Sequence, residues 1–297
     1  MTTCIRTALA ALFCFIVALP TQAQPCVPAT HAEPIGRGTI SYNSFGRGPP
    51  VLLVHGLFAD KEQWTALACL IADAGYEAIA VDLPGYGKSA GYSLGDYPLE
   101  REVENLHALA ARLGIARFDI AGNSMGGAIA ALYATAYPEQ VRSLAFLGSP
   151  EGITGWGDGI RGAILSGINP FIPLTPAELD IELHLLFVSP PNISPSAAKS
   201  IVDEYVRNRD HYIQVWNIVN LYDDVLIRTP LARKPTLIVW GADDRVFNAS
   251  GATALQAKTS AGQVYLVPKA GHLLHTENAA AVAPLFIRFL KTAEDGK

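Results

Sequence analysis

Phe118-Asp-Ile-Ala-Gly-Asn-Ser-Met-Gly-Gly127 combines a short apolar strand, a glycine-flanked serine and the first residues of a small-residue helix. Helical spacing continues from Met125 to Tyr137. The central five residues have the form G-x-S-x-G, which is typical of a very tight turn from a strand into a helix. Glycines on both sides of Ser124 avoid collisions with the neighbouring strand and helix. The turn therefore predicts a sheet covered by helices, with the Ser124 hydroxyl at a helix N-terminus.

Strands and helices alternate on both sides of this turn, and several strands are wholly apolar, as in a parallel sheet buried on both faces. The pattern predicts an α/β fold with a mostly parallel central sheet flanked by helices. The other predicted strands are Thr39–Phe45, Val51–Val54, Ala78–Val81, Ser143–Leu147, Thr236–Trp240 and Val264–Val267. The other predicted helices are Lys61–Ala74, Leu99–Leu113, Glu178–Val188, Asp203–Leu221 and Glu277–Leu290.

The alternation fails between residues 152 and 230, where helical stretches occur without a clear strand. We interpret this segment as a helical cap inserted into a core formed by residues 39–151 and 231–297. Residues 24–38 are rich in proline, alanine and polar side chains, and they are predicted to be an irregular N-terminal tail.

The first residues have the composition of an export signal. Arg6 precedes an uncharged apolar run from Ala8 to Leu19, and Thr21-Gln-Ala23 resembles a cleavage site with small residues. The run is shorter than the roughly 20 residues that a membrane span needs. The sequence thus predicts a signal peptide over residues 1–23, cleavage near Ala23, and a periplasmic or secreted protein.

Cys26 and Cys69 remain after this cleavage. In an oxidising compartment they could form a disulfide that joins the N-terminal tail to a helix, or they could be two unrelated thiols. Their spacing in the sequence does not decide between the two.

Composition excludes some classes of function. The chain has 297 residues with 22 basic and 27 acidic side chains, a net charge of −5 and no run of Lys or Arg. It therefore lacks the basic footprint of a nucleic-acid-binding protein.

A serine hydroxyl becomes a good nucleophile only beside a base. In proteins with the G-x-S-x-G turn, the catalytic residues follow the chain order serine, acid, histidine. His272 comes shortly after the predicted strand Val264–Val267, where the strand's end lies at the same sheet edge as Ser124. His275 is the rival, and we otherwise expect it to be a polar residue near a helix start that lines the entrance to the site.

Two carboxylates, Asp243 and Asp244, follow the predicted strand Thr236–Trp240. One would orient the imidazole and stabilise its charged form, while the other would be a turn residue. We assign the acid to Asp244, with Asp243 as the runner-up. Glu151 is a third candidate because it follows the strand Ser143–Leu147.

The negative oxygen that forms when serine attacks a carbonyl needs backbone N–H donors. Met125 follows the nucleophile and supplies one donor, and the loop after Val51–Val54 supplies the other. We assign the second donor to Leu57, with Phe58 as the alternative. His55 is expected to have a structural role, fixing this loop by hydrogen bonds.

Three motifs together resemble the α/β-hydrolase superfamily over nearly all of the predicted mature chain: Val54-His-Gly-Leu-Phe-Ala-Asp-Lys-Glu-Gln-Trp64, Asp82-Leu-Pro-Gly-Tyr-Gly87 and Gly122-Asn-Ser-Met-Gly-Gly127. The resemblance is strongest to the esterase and lipase branch that includes bacterial family V lipases and monoacylglycerol lipases. It implies a catalytic Ser124, Asp244 and His272. Ala279 departs from relatives, which often have proline there, at a position without a catalytic role.

The resemblance implies hydrolysis of a small-molecule or lipid ester through an acyl-enzyme, with transient contact with a lipid interface left open. No metal or cofactor is implied, because serine and histidine supply nucleophile and base. Apolar residues of the predicted cap suit an acyl chain, although the same residues could simply pack the cap onto the core. They are Ile168, Phe171, Ile172, Leu174, Leu183, Leu185, Leu186, Phe187 and Val188.

Two other functions use the same scaffold. A carbon–carbon bond hydrolase acting on diketones has the same three catalytic residues, although the predicted export argues against it. A non-catalytic binding protein is the second alternative, since a fold does not guarantee a function. Failure to react with a fluorophosphonate probe would favour this reading.

Overall fold

The computed structural model describes residues 26–259 and 262–295. The predicted signal peptide and its cleavage site lie outside the described residues. Within the described ranges, no helix combines the length and the hydropathy required to cross a membrane.

Strands and helices alternate through most of the chain. The strands are β1 (Ala29–Ile35), β2 (Gly38–Gly46), β3 (Pro50–Val54), β4 (Glu77–Val81), β5 (Phe118–Ser124), β6 (Val141–Pro150), β7 (Thr236–Gly241) and β8 (Gly262–Val267). The helices are α1 (Thr65–Asp73), α2 (Leu99–Arg112), α3 (Met125–Ala136), α4 (Asp158–Leu165), α5 (Pro176–Leu186), α6 (Pro195–Arg207), α7 (Arg209–Val219), α8 (Val225–Arg228), α9 (Gly251–Lys258), α10 (Leu274–Glu277) and α11 (Ala279–Asp295).

The eight strands form one sheet in the order β1-β2-β4-β3-β5-β6-β7-β8. The pairs β1–β2 and β2–β4 are antiparallel, and every other neighbouring pair is parallel. Because the parallel strands share one direction, their carboxyl ends meet at one edge of the sheet. The predicted fold class is confirmed, including the mostly parallel sheet.

Apolar side chains of the central strands point alternately into two cores, one on each face of the sheet. On one face Leu52 and Ile120 pack with α2 and α3. On the other face Leu53 and Ala121 pack with α1 and α11. This two-sided burial explains why β3 is apolar without polar alternation.

Two sequence predictions were wrong. The predicted tail contains β1, which pairs with β2 from Ala29–Ser44 to Ile35–Gly38. β1 is an exposed edge strand held by backbone hydrogen bonds, so it carries no hydrophobic pattern to detect. The predicted helix Asp203–Leu221 is two helices, α6 and α7, which meet at Asn208 with φ −108° and ψ 19°. Hydrophobic spacing continues across this bend, so periodicity alone does not reveal it.

Cys26 and Cys69 form a disulfide with a Cα–Cα distance of 5.8 Å. Cys69 lies in α1, so the bond joins the segment that precedes β1 to a helix on the face of the sheet. The structure therefore decides the pairing that the sequence left open.

A buried ion pair links two loops at the carboxyl edge of the sheet. Lys61 Nζ lies 2.6 Å from Asp82 Oδ2, and both side chains are almost completely buried. Asp82 also accepts hydrogen bonds from the backbone N–H groups of Lys61 and Lys88. These hydrogen bonds offset the cost of burying both charges and connect the loop after β3 with the loop after β4.

Glu102 of α2 is fully buried, and neither carboxyl oxygen has a hydrogen-bond partner. Burial, with a smaller contribution from Asp96, raises the pKa of this carboxyl well above its usual value. We predict that Glu102→Leu raises the free energy of unfolding at pH 8 by roughly 1–3 kcal/mol, the cost of an unsatisfied buried polar group. Urea unfolding measures this change.

The stabilisation should shrink as the pH falls to 4. Glu102 is then mostly protonated in the unfolded chain as well, so folding requires much less proton uptake. Glu104→Leu, on the exposed face of the same helix, is the matched control and should have little effect at either pH. A Glu102→Leu protein less stable than the wild type at pH 8 would contradict this account.

Candidate active site

Ser124 lies at the junction of β5 and α3 with φ 54° and ψ −127°, a strained conformation for a residue with a side chain. The flanking glycines permit this turn. A Cβ on Gly126 would lie 2.2 Å from the carbonyl oxygen of Val54 in β3, and one on Gly122 would lie 2.1 Å from the oxygen of Gly126. The crowding inferred from the sequence is thus present.

Asn123 connects this turn with its surroundings. Its Nδ2 donates to the carbonyl oxygens of Leu147 in β6 and His272, at 3.0 and 3.1 Å. The side chain is completely buried, so these bonds hold the turn and the His272 loop in a fixed relation. The sequence analysis missed Asn123, whose only sequence signal is its place beside the serine.

Asp244 and His272 form a buried pair. His272 Nδ1 donates to Asp244 Oδ2 at 3.1 Å. The other carboxyl oxygen, Oδ1, accepts from the backbone N–H groups of Val246 and Phe247 at 2.8 and 3.1 Å. Because a carboxylate only accepts, it selects the tautomer with the proton on Nδ1 and leaves Nε2 able to take up a proton.

Ser149, near the end of β6, is a third member of this cluster. Its Oγ donates to Asp244 Oδ2 at 2.7 Å and lies 2.9 Å from His272 Nδ1. The Ser149 oxygen can accept from Nδ1–H while its own proton points at the carboxylate. Ser149 is completely buried, so it holds the carboxylate and the imidazole together away from water. The sequence analysis missed this residue because only the sheet brings β6 beside the other two loops.

Glu277 fixes the loop that carries His272. Its carboxylate accepts from the backbone N–H of Gly271 at 2.9 Å and from that of Ser189 at 2.6 Å. Gly271 is the residue before His272 in the chain, and Ser189 lies just after α5. One side chain thus ties the histidine loop to the helical segment between β6 and β7.

The alternative residues occupy other environments. Asp243 accepts from the backbone N–H of Lys269 at 2.9 Å, the turn role expected for the second carboxylate. Glu151 lies close to Ser124 and has no hydrogen bond to His272 among the described residues. His275 is fully buried and stacks on Trp64 with ring centroids 4.1 Å apart. Burial lowers the pKa of His275 to about 3, so its expected place at an entrance is wrong.

The loop after β3 supplies backbone N–H groups beside the nucleophile. Leu57 lines the same cavity as Ser124, and its N–H donates no hydrogen bond within the described part of the chain. Met125 is the first residue of α3, where backbone N–H groups have no partner in the helix. His55 accepts from the Leu83 N–H at 3.0 Å and contacts the Gly56 oxygen at 2.7 Å, the loop-fixing role expected from the sequence.

Ser124 and His272 line one cavity of about 210 Å³. Leu57 and Phe58 contribute from the core, and the segment between β6 and β7 contributes Trp156, Phe171, Glu182 and Leu186. Of the nine apolar residues considered for an acyl chain, only Phe171 and Leu186 line this cavity. Ile172 and Leu185 are buried, which agrees with a packing role for them.

We predict that Ser149→Ala slows labelling of Ser124 by a fluorophosphonate probe roughly 10- to 100-fold. The substitution removes a hydrogen bond to a charged group, which contributes about 1.5–3 kcal/mol. Labelling rates and thermal unfolding are measured on the same preparations.

Ser143→Ala is the matched control. Ser143 lies on the same strand, is also buried, and donates to Asp119 at 2.7 Å, away from the cavity. We expect Ser143→Ala to lose about as much stability as Ser149→Ala, while the probe labels its Ser124 at the wild-type rate. Equal labelling of both variants would mean that Ser149 contributes only to stability.

Comparisons with known proteins show which family this chain belongs to. A family model for the alpha/beta hydrolase fold matches residues 49–279. Human "Monoacylglycerol lipase ABHD6" is 27% identical over 263 residues, covering 84% of this chain and 77% of the relative. "Lipase 1" of Psychrobacter immobilis is 30% identical over 234 residues, covering 76% of this chain and 72% of the relative.

A solved structure of a membrane phospholipase A, a bacterial virulence factor, is similar with a TM-score of 0.80 and 28% identity. The similarity covers 90% of this chain and 87% of that one. The residues that match the family model include the turn at Ser124, the two candidate acids Asp243 and Asp244, and His272. The resemblance seen in the sequence motifs is confirmed: this chain belongs to the α/β-hydrolase family.

Proposed function

We propose that this protein is a serine hydrolase of carboxylic esters. The observation that carries the proposal is the shared cavity of Ser124, held in the strained turn, and His272, whose Nδ1 is bonded to Asp244. A nucleophile, a free imidazole nitrogen and an orienting carboxylate are the parts that acyl transfer requires. The lipase names of the relatives support an ester as the substrate.

In the proposed reaction the Ser124 oxygen attacks the ester carbonyl while His272 Nε2 takes the hydroxyl proton. The N–H groups of Leu57 and Met125 stabilise the negative oxygen that forms. The carbon–oxygen bond to the alcohol then breaks, and His272 returns the proton to the leaving alcohol. A water molecule next attacks the acyl-enzyme in the same way, which releases the acid and regenerates Ser124. Asp244 stabilises the imidazolium in both halves.

The lining of the cavity supports an apolar acyl chain. Leu57, Phe171 and Leu186 surround the space beside Ser124, and burial of methylene groups there is favourable at about 0.8 kcal/mol each. We infer that residues 152–230 act as a cap over the site and that medium-chain esters or monoacylglycerols are the substrates. Contact with a lipid interface would bring such substrates to the cavity.

Export is the second part of the proposal. The Cys26–Cys69 disulfide supports it, because such bonds persist in oxidising compartments. Expression of the full chain in a Gram-negative host should yield a periplasmic or secreted protein whose sequence begins at Gln24. N-terminal sequencing of each fraction tests this prediction, and a cytoplasmic protein that retains residues 1–23 would contradict it.

We predict that the mature protein hydrolyses nitrophenyl butyrate and octanoate faster than the acetate, because the longer chains fill the apolar cavity. Ser124→Ala should lower kcat by roughly 10³- to 10⁶-fold. Release of nitrophenol across acetate, butyrate, octanoate and palmitate measures both effects.

Activity that Ser124→Ala does not reduce would exclude Ser124 as the nucleophile. Cleavage of a vinylogous diketone without cleavage of any ester would favour the carbon–carbon bond hydrolase. A wild-type protein that neither cleaves an ester nor reacts with a fluorophosphonate would favour a binding protein on this scaffold.

A further inference from the structure

Two acidic side chains that the proposed reaction does not use line the cavity of Ser124: Glu151 and Glu182. Their exposed fractions are 3% and 8%. Glu151 directly follows β6, and its backbone N–H donates to the backbone carbonyl oxygen of Ser124 at 3.0 Å, so Glu151 lies beside the residue that carries the nucleophile. Glu182 lies on α5, one turn before Leu186, whose oxygen accepts from the Leu273 N–H at 3.2 Å.

Both carboxyl groups line the cavity without a protein partner among the described residues. Within residues 26–259 and 262–295, no side-chain hydrogen bond or ion pair joins Glu151 or Glu182 to another residue. Gln63 adds a third polar group to this cavity, and neither atom of its amide has a hydrogen-bond partner or exposure to solvent. A buried polar group that lacks partners costs free energy, so the Gln63 amide, next to two carboxyls that line the same cavity, indicates a ligand with polar groups.

The charge state of the two carboxyls narrows the chemistry of this ligand. Burial raises the pKa of each to about 8, and the charge of Asp223 adds to the effect at Glu151. A protonated carboxyl donates one hydrogen bond and accepts others, as does the Gln63 amide. The two carboxyls and the amide are therefore complementary to hydroxyl groups of a ligand, which also donate and accept hydrogen bonds. The residues that line the cavity include neither Lys nor Arg, so a phosphate group would have no cation to pair with.

We propose that Glu151, Glu182 and Gln63 bind the free hydroxyl groups of a neutral, hydroxylated alcohol in the ester substrate. The proposal rests on the proposed ester hydrolysis and adds what selects the substrate. The apolar part of the cavity takes the acyl chain, and these three side chains hold the alcohol.

The experiment compares two esters with the same acyl chain, 1-octanoylglycerol and methyl octanoate, of which only the first has free hydroxyls. The measured quantity is the ratio of their kcat/KM values. We expect Glu182→Leu and Glu151→Leu each to lower this ratio roughly tenfold, the effect of losing about one hydrogen bond to the substrate. Glu182→Gln, which keeps a donor and an acceptor, should retain most of the selectivity.

Asp180→Leu is the matched control, since Asp180 lies on the exposed side of α5 with its side chain 72% exposed. It should leave the ratio at the wild-type value. Inhibition by 1-O-octylglycerol, which has the hydroxyls but no ester, provides a second measurement. Its inhibition constant should rise roughly tenfold in Glu182→Leu and little in Glu182→Gln.

The outcomes separate the two proposals. If the wild type cleaves neither ester, the proposed function is wrong and this inference with it. If the wild type cleaves both esters and the Leu variants leave the ratio unchanged, hydroxyl binding is wrong while ester hydrolysis stands. A ratio that falls as far in Glu182→Gln as in Glu182→Leu would also overturn the inference, because it would show a requirement for the acid group alone.

Discussion

The strained backbone of Ser124 is the constraint around which the carboxyl edge of the sheet is arranged. The turn exists only because the Gly126 backbone can pack directly against the carbonyl oxygens of Val54 and His55. The turn is also held from the other side, since the Glu151 N–H donates to the backbone carbonyl oxygen of Ser124. Strands β3, β5 and β6 together therefore impose a conformation that the chain would not adopt locally.

The polar groups near this turn bond to one another with almost no access to water, and Asn123 Oδ1 is the atom among them that has no partner in the described residues. Asn123 binds the His272 backbone, Ser149 binds Asp244, and Glu277 binds the Gly271 N–H. The first and third bonds reach the histidine loop, and Ser149 Oγ also lies 2.9 Å from His272 Nδ1. Such a connected network costs little when it is complete, and it leaves few positions open to the imidazole ring. The carboxyls of Glu151 and Glu182 differ from these residues, because they line the cavity and take no part in this network.

An aromatic cluster joins the segment between β6 and β7 to the core. Trp156 stacks on Phe247 with ring centroids 4.8 Å apart, and it also stacks on Trp216 at 5.5 Å. Phe247 in turn lies 5.8 Å from the His272 ring, and its backbone N–H donates to Asp244. The packing of the helical segment is thus coupled to the position of the acid and the histidine. This arrangement allows the segment to contribute both apolar and acidic side chains to the cavity.

The sequence by itself determined the α/β class, the family and the turn at Ser124, because these depend on local signals. Apolar strands buried on both faces, glycines at crowded positions and the order of motifs along the chain are all visible without coordinates. The chain order also led us to prefer Asp244 over Asp243 and His272 over His275, and in the structure Asp244 and His272 form a buried hydrogen bond. Local pattern did not reveal β1, which is defined by pairing with β2, or the bend at Asn208.

Only the tertiary structure decided which distant residues meet. Ser149 is 95 residues from Asp244 and 123 from His272 in the chain, and no sequence period links them. The disulfide, the buried Lys61–Asp82 pair and the convergence of Glu151 and Glu182 on one cavity are likewise products of strand order and helix packing. The physical reason is that hydrophobic periodicity reports the environment of a side chain, buried or exposed, and not the identity of its partner.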